Sequence, residues 1–278
     1  MNLHQNTSVP TQPYPELREV LDIFVSEVET ELAENLVGIY LVGSLASGDF
    51  DLDSDVDFLV VINTELTESN QKRLQEVQIK VHEIDCYPAK HLEGSYISIV
   101  DLNDWSIVGK KKLFYFDNGS ITPEQSVHDN NWHVRWILRE RGITLAGPEP
   151  QTIVRPIPNA ELLGEMRTSL HQIMLIYEEA LQQPLNFFKS QFGQSFVVLT
   201  YCRMLHTLHT GEVQSKKAGA EWAKEYVEPK WRKLIDRAWD DREGVRFGVK
   251  IGQRADEQLL EETLEFVQYA VARVDAEG

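Results

Sequence analysis

The 278-residue chain has only two cysteines, Cys86 and Cys202. That is too few for a disulfide framework, and neither stands in a spacing that binds zinc. Basic side chains are also scarce: 27 Lys and Arg face 44 Asp and Glu, which leaves a formal charge of −17. Such a surface repels a phosphate backbone at long range and argues against polymeric nucleic acid as a partner. No uninterrupted apolar run reaches the roughly 18 residues that a membrane helix needs. The opening stretch, "MNLHQNTSVPTQPYPELREV", is polar and holds proline, unlike a secretory leader. These absences predict a soluble protein of the reducing cytoplasm, with no membrane partner.

Apolar residues make up 42% of the chain, enough at this length for two cores. Leu17, Val20, Leu21, Phe24 and Val28 recur at helical spacing. The short run "VGIYLVG" reads as a strand ended by Gly43, and "DVDFLVVI" as a second buried strand. In "SNQKRLQEVQIKVHEI", Leu74, Val77, Val81 and Ile84 predict a helix that Pro88 terminates. "LEGSYISIV" is a third strand and "KKLFYF" a fourth, followed by a helix over "NNWHVRWILRERG", capped by Gly142, and a short apolar piece, "ITLAG".

The prolines of "GPEP" and "RPIP" then mark a break. Beyond residue 157 only helical patterns remain: "NAELLGEMRTSLHQIMLIYEEAL", "QSFVVLTYCRMLHTLHTG", "KKAGAEWAKEYVEPKWRKLIDRAWDDR" and "ADEQLLEETLEFVQYAVARV". The expectation is an α+β chain, with a mixed sheet flanked by helices in residues 1–157 and an all-α bundle in 158–278.

Within "LVGSLASGDFDLDSDVDFLVV", Asp55 and Asp57 are two apart, so an extended backbone points both to one face. Two neighbouring carboxylates repel, and burying them unpaired is costly, so a cation is expected beside them. Mg²⁺ typically takes one or two protein carboxylates and completes its shell with water and substrate phosphates. Twelve residues upstream of Asp55, Gly43 permits close backbone approach, and Ser44 offers a hydroxyl and an amide to an anion. Strand, Gly-Ser, short helix, Ser54-Asp-x-Asp and strand together describe a nucleoside triphosphate site.

This arrangement resembles the signature of the DNA polymerase β type nucleotidyltransferase superfamily, carried here by Gly43, Ser44, Asp55 and Asp57. The resemblance implies two Mg²⁺ ions on the aspartates and a third carboxylate from a neighbouring strand. Glu93, at the head of "LEGSYISIV", is preferred for that place over Asp85 and Glu83 in "VHEIDCY", which falls at a helix end.

The second half resembles the helical domain of the streptomycin/spectinomycin adenylyltransferases, through Val197 to Thr200, Arg203, Thr210, Gly211, Lys216 and Trp222. "ITLAGPEP" resembles the stretch that joins the two halves in that family. The resemblance implies transfer of AMP from ATP to a hydroxyl of a small acceptor of the aminoglycoside kind, with release of pyrophosphate. Glu93 would take the hydroxyl proton, Ser44 and Ser54 would help hold the nucleotide, and Arg203 and Lys216 would neutralise its phosphates, so that the helical domain clamps the reactants.

One departure narrows the acceptor. Where that family carries acids ahead of Val-Val-Leu-Thr, this chain has "KSQFGQSF", with Lys189, Gly193 and Gln194 and no carboxylate. Charge-assisted hydrogen bonds of about 1.5–3 kcal/mol each would be lost by a cationic antibiotic there, which argues against streptomycin. Glu178 and Glu179 are the nearby acids that could stand in. Two other readings stay open: nucleotidylation of a protein hydroxyl, and a non-catalytic nucleotide sensor.

Overall fold

The apolar stripe Leu17, Val20, Leu21, Phe24 and Val28 is buried along helix α1 (Leu17–Leu32), where it packs against a sheet that the following residues build. The structure, a computed structural model, describes residues 9, 12–184, 186–243 and 252–277. Much of the polar opening stretch therefore lies outside the described residues. The chain divides into two units, Met1–Ile157 and Pro158–Gly278.

In the first unit, strands β1 (Leu36–Leu41), β2 (Val56–Ile62), β3 (Leu92–Ser98), β4 (Leu113–Phe116), β5 (Glu124–Ser126) and β6 (Ile143–Ala146) form one mixed sheet in the order β5-β4-β3-β2-β1-β6. Only β2 and β3 run parallel. Helix α3 (Glu68–His82) supplies the crossover that a parallel pair requires, opened by a reciprocal cap between Thr67 and Asn70.

Phe58, Val60 and Ile62 of β2 face α1 and α3, and the Phe24 and Phe58 rings lie 4.7 Å apart. Strand alternation therefore turns Asp57, Leu59 and Val61 to the opposite face. There α2 (Gly43–Ser47) contacts both β2 and α6 (Trp132–Arg141). Among the described residues no helix is long and apolar enough to cross a membrane.

Several expected elements differ in detail. "LEGSYISIV" leaves the strand at Ser98, whose hydroxyl accepts from the Asp101 amide and caps the short helix α5 (Ile99–Leu102). The apolar "ITLAG" is a full strand, paired with β1. The three-residue β5 is polar and exposed and gave no periodic signal. Two further short helices, α4 (Tyr87–Lys90) and α7 (Pro150–Ile153), start at or just before a proline. Gly142 does end α6, in an extended conformation (φ −54°) instead of a left-handed one, and a Cβ there would meet the Leu138 carbonyl oxygen at 2.4 Å.

The second unit is helical: α8 (Asn159–Gln182), α9 (Gln191–Thr210), α10 (Lys216–Tyr226), α11 (Arg232–Arg242) and α12 (Glu257–Glu277). Helix α9 is apolar almost all round, so it is the buried centre, and the other four pack on it. The helical pattern over 216–242 is carried by two helices, because Pro229 holds Glu228 out of the helical region and starts a new turn.

Candidate functional site

The carboxylates are set by the sheet. In the β2–β3 ladder, Asp57 is the register partner of Glu93, and in-register residues of neighbouring strands project to the same side. Asp55 sits two residues before Asp57 at the mouth of β2, with its Oδ1 3.7 Å from His91 Nδ1.

Gly43 sits where β1 gives way to α2, in a left-handed conformation (φ +60°). A Cβ there would lie 1.9 Å from Asp57 Oδ2. The missing side chain is thus the space that Asp57 occupies. Ser44, next in the chain, buries a hydroxyl oxygen that finds no hydrogen-bond partner among the described residues. An orphaned hydroxyl costs about 1–3 kcal/mol unless a ligand oxygen meets it. Ser54 is engaged locally: its hydroxyl donates to Asp51 Oδ1 at 2.8 Å, and Asp51 Oδ1 also accepts from the Asp53 amide, a turn that shapes the approach to β2.

Glu93 is only 9% exposed. Its Oε1 accepts from the Tyr115 hydroxyl at 2.5 Å and its Oε2 from the Asn118 amide at 3.2 Å, and His128 Nε2 lies 3.4 Å from Oε1. Burial pushes its carboxyl above the usual range, against the pull of Tyr115 and His128, while the charges of Asp55 and Asp129 push it further up. Asp129 is likewise raised by burial, and it accepts from Ser95 Oγ at 2.7 Å. Crowded, partly buried carboxylates with raised proton affinity mark a place that a cation would relieve.

Among the described residues no three His, Cys, Asp or Glu side chains close into a ready-made ligand cluster. Asp57 and Glu93 are brought together by register, with Asp55 at the strand mouth beside them. An open, all-oxygen set of this kind fits a hard divalent ion that keeps water and phosphate in its shell. Asp85 is not on the sheet: it lies in the bend after α3.

Arg203 and Lys216 belong to the second unit, on α9 and at the first residue of α10. Those helices approach closely because Gly219 has no side chain, and a Cβ on it would stand 2.9 Å from the Arg203 Cα. In the carboxylate-free stretch, Gln194 is buried and committed, accepting from Tyr177 at 2.6 Å and donating to the Phe188 carbonyl. At Gly193 a Cβ would meet the Phe187 carbonyl oxygen at 2.3 Å, so no acidic side chain fits without moving that turn. Of the two acids that could stand in, Glu178 accepts from Gln268 at 3.1 Å and Glu179 is exposed.

Tyr115, Asn118, His128, Asp129 and Ser95 escaped the sequence reading. They come from β3, β4 and the loops after β4 and β5, and no spacing between them announces a site. The one available signal was the tyrosine of "KKLFYF", whose place on the polar face depends on a register the sequence does not reveal.

Comparison with known proteins matches residues 18–105 to a nucleotidyltransferase domain and residues 152–273 to the aminoglycoside adenylyltransferase C-terminal domain. A spectinomycin 9-adenylyltransferase of Staphylococcus aureus (strain Mu50 / ATCC 700699) is 29% identical over 252 residues, covering 87% of this chain and 86% of that protein. An aminoglycoside (3'') (9) adenylyltransferase of Shigella flexneri is 23% identical over 280 residues, 93% of this chain and 96% of that protein. The crystal structure of spectinomycin adenyltransferase AAD(9) from Enterococcus faecialis with ATP and spectinomycin shares the fold, with a TM-score of 0.67 at 18% identity over 92% of this chain and 99% of that one.

Proposed function

For a chain that belongs to the nucleotidyltransferases with an aminoglycoside adenylyltransferase C-terminal domain, we propose transfer of AMP from ATP to a hydroxyl of an aminoglycoside-type acceptor, spectinomycin before streptomycin. The acceptor oxygen bonds to the α-phosphorus as the bond to the bridging oxygen of the β-phosphate breaks. Pyrophosphate leaves, and the hydroxyl proton passes to Glu93.

The observation that carries this reading is the pairing of Asp57 with Glu93 on parallel strands, beside the space left by Gly43. Asp55, Asp57 and Glu93 would hold Mg²⁺, two ions in all, and the metal when bound would neutralise triphosphate charge. The orphaned Ser44 hydroxyl would donate to a phosphate oxygen, while Ser54 keeps the preceding loop in shape. Arg203 and Lys216 are the proposed cations for the triphosphate. A formal charge of −17 favours encounter with a cationic acceptor. The buried Gln194 at the head of α9, engaged through both its side-chain oxygen and its nitrogen, leaves no carboxylate there to pair with streptomycin, which supports the order of preference.

The test is pyrophosphate release from ATP and Mg²⁺ with spectinomycin, with streptomycin, and with cell lysate. Release with spectinomycin that ceases on chelation is the expected result. Label incorporated into a protein band, or ATP bound without turnover, would overturn the assignment in favour of the two competing readings.

A further inference from the structure

Tyr115 occupies β4 opposite Ser95 of β3, and so stands on the same face as Glu93 two residues earlier in that strand. Its ring is buried at 2% exposure. The hydroxyl lies 2.5 Å from Glu93 Oε1 and 3.1 Å from Asp117 Oδ1. A phenol has one proton to donate, and the shorter contact takes it.

The other carboxylate oxygen of Glu93 is held by the Asn118 amide, from a residue whose backbone is itself in the left-handed region (φ +29°). His128 Nε2 stands 3.4 Å from the same Oε1 that Tyr115 holds. Its ring stacks on Tyr115 at 5.2 Å with planes 18° apart, and the neighbouring Asp129 is anchored by Ser95. Both oxygens of one carboxylate are therefore fixed by groups that bind nothing else on the proposed reaction path.

A glutamate has three rotatable side-chain bonds, and few of its rotamers would aim an oxygen at an acceptor hydroxyl. Misplacement by about 1 Å can cost roughly a hundredfold in rate. We propose that Tyr115 is a positioning residue, its hydroxyl locking Glu93 in the orientation that receives the acceptor's proton, with His128 bracing the tyrosine ring. The inference rests on the reading of Glu93 as that proton acceptor. Tyr115 itself makes and breaks no bond in the reaction.

The experiment compares Tyr115→Phe and Glu93→Gln with the full-length parent, using ATP, Mg²⁺ and spectinomycin. Tyr115→Phe keeps the ring and its stack and removes one hydrogen bond. Expected is a fall in kcat of about tenfold, the lower end of what loss of an orienting partner costs at metal-dependent sites, with KM for ATP and for spectinomycin within about twofold of the parent. The melting temperature should stay within a few degrees.

An unchanged kcat in Tyr115→Phe, a rise in KM in its place, or a kcat loss matched by loss of fold would overturn the positioning role. Should Glu93→Gln itself keep the parent kcat, the assignment of Glu93 fails first. A fall in Glu93→Gln without one in Tyr115→Phe rejects this inference alone.

Discussion

Gly43 and Asp57 share one volume: the position a Cβ would take on the glycine is 1.9 Å from the aspartate's Oδ2. The end of β1 and the start of β2 are already bridged by the Val42 amide donating to the Asp57 carbonyl at 3.0 Å, so neither backbone can retreat cheaply. The glycine therefore acts on the carboxylate through what it leaves out.

Gly43→Ala should accordingly damage the site more than the fold. A left-handed alanine costs about 1–2 kcal/mol, a modest drop in melting temperature. Turnover should fall by at least about a hundredfold, because Asp57 must swing away from its place opposite Glu93. Parallel calorimetry and pyrophosphate-release assays separate the two effects.

Asp57→Asn is nearly isosteric and leaves the β2–β3 ladder intact. It should abolish turnover with the melting temperature retained, and titration with Mg²⁺ followed by calorimetry in the presence of ATP should show weakened metal uptake. Activity close to the parent's would place the metal elsewhere.

In the second unit His171 joins α8 to α12. Its Nδ1 bonds to the Arg167 carbonyl, and its Nε2 lies 3.1 Å from Asp275 Oδ1. Those two bonds raise its affinity for a proton, the carbonyl's first and the carboxylate's second. A group whose folded pKa is raised adds stability that is fully present below the unfolded value, near 6.5, and lost as pH climbs through the folded value. The melting-temperature gap between the parent and His171→Phe should therefore be wider at pH 6 than at pH 9. An equal gap at both would assign the loss to packing.

Arg135 is 1% exposed, and its guanidinium donates to the carbonyls of Leu102, Asn131 and Asp101. Arg135→Met would fill much of the volume and strand those acceptors, for a loss of about 3 kcal/mol. Urea unfolding with an unchanged m value is the check.

Thr67→Ala removes the exposed cap of α3, 25 residues before the strand that carries Glu93. Stability should fall by about 1 kcal/mol and kcat should not move, a control against reading every loss of stability as a loss of function.

How much of this was legible in the chain depends on the range of the interaction concerned. Asp55 and Asp57 could be placed on one face because strand alternation is local, and Gly43 and Ser44 could be tied to them because only a short turn and helix intervene. The Pro229 break inside the helical half leaves little trace in the apolar pattern, which keeps nearly the same phase on either side of it. Strand β5 carried no apolar alternation to detect, being polar and exposed.

By itself the sequence settled the α+β order, the helical second half and the pair of aspartates, all of which follow from periodicities of two or 3.6 residues along a continuous backbone. Only the tertiary structure decided that Glu93 lies opposite Asp57, and that Tyr115, His128 and Asp129 gather round it. Strand register and loop closure are fixed by contacts among residues 22 to 36 positions apart, and such contacts leave no periodic trace in the chain that makes them.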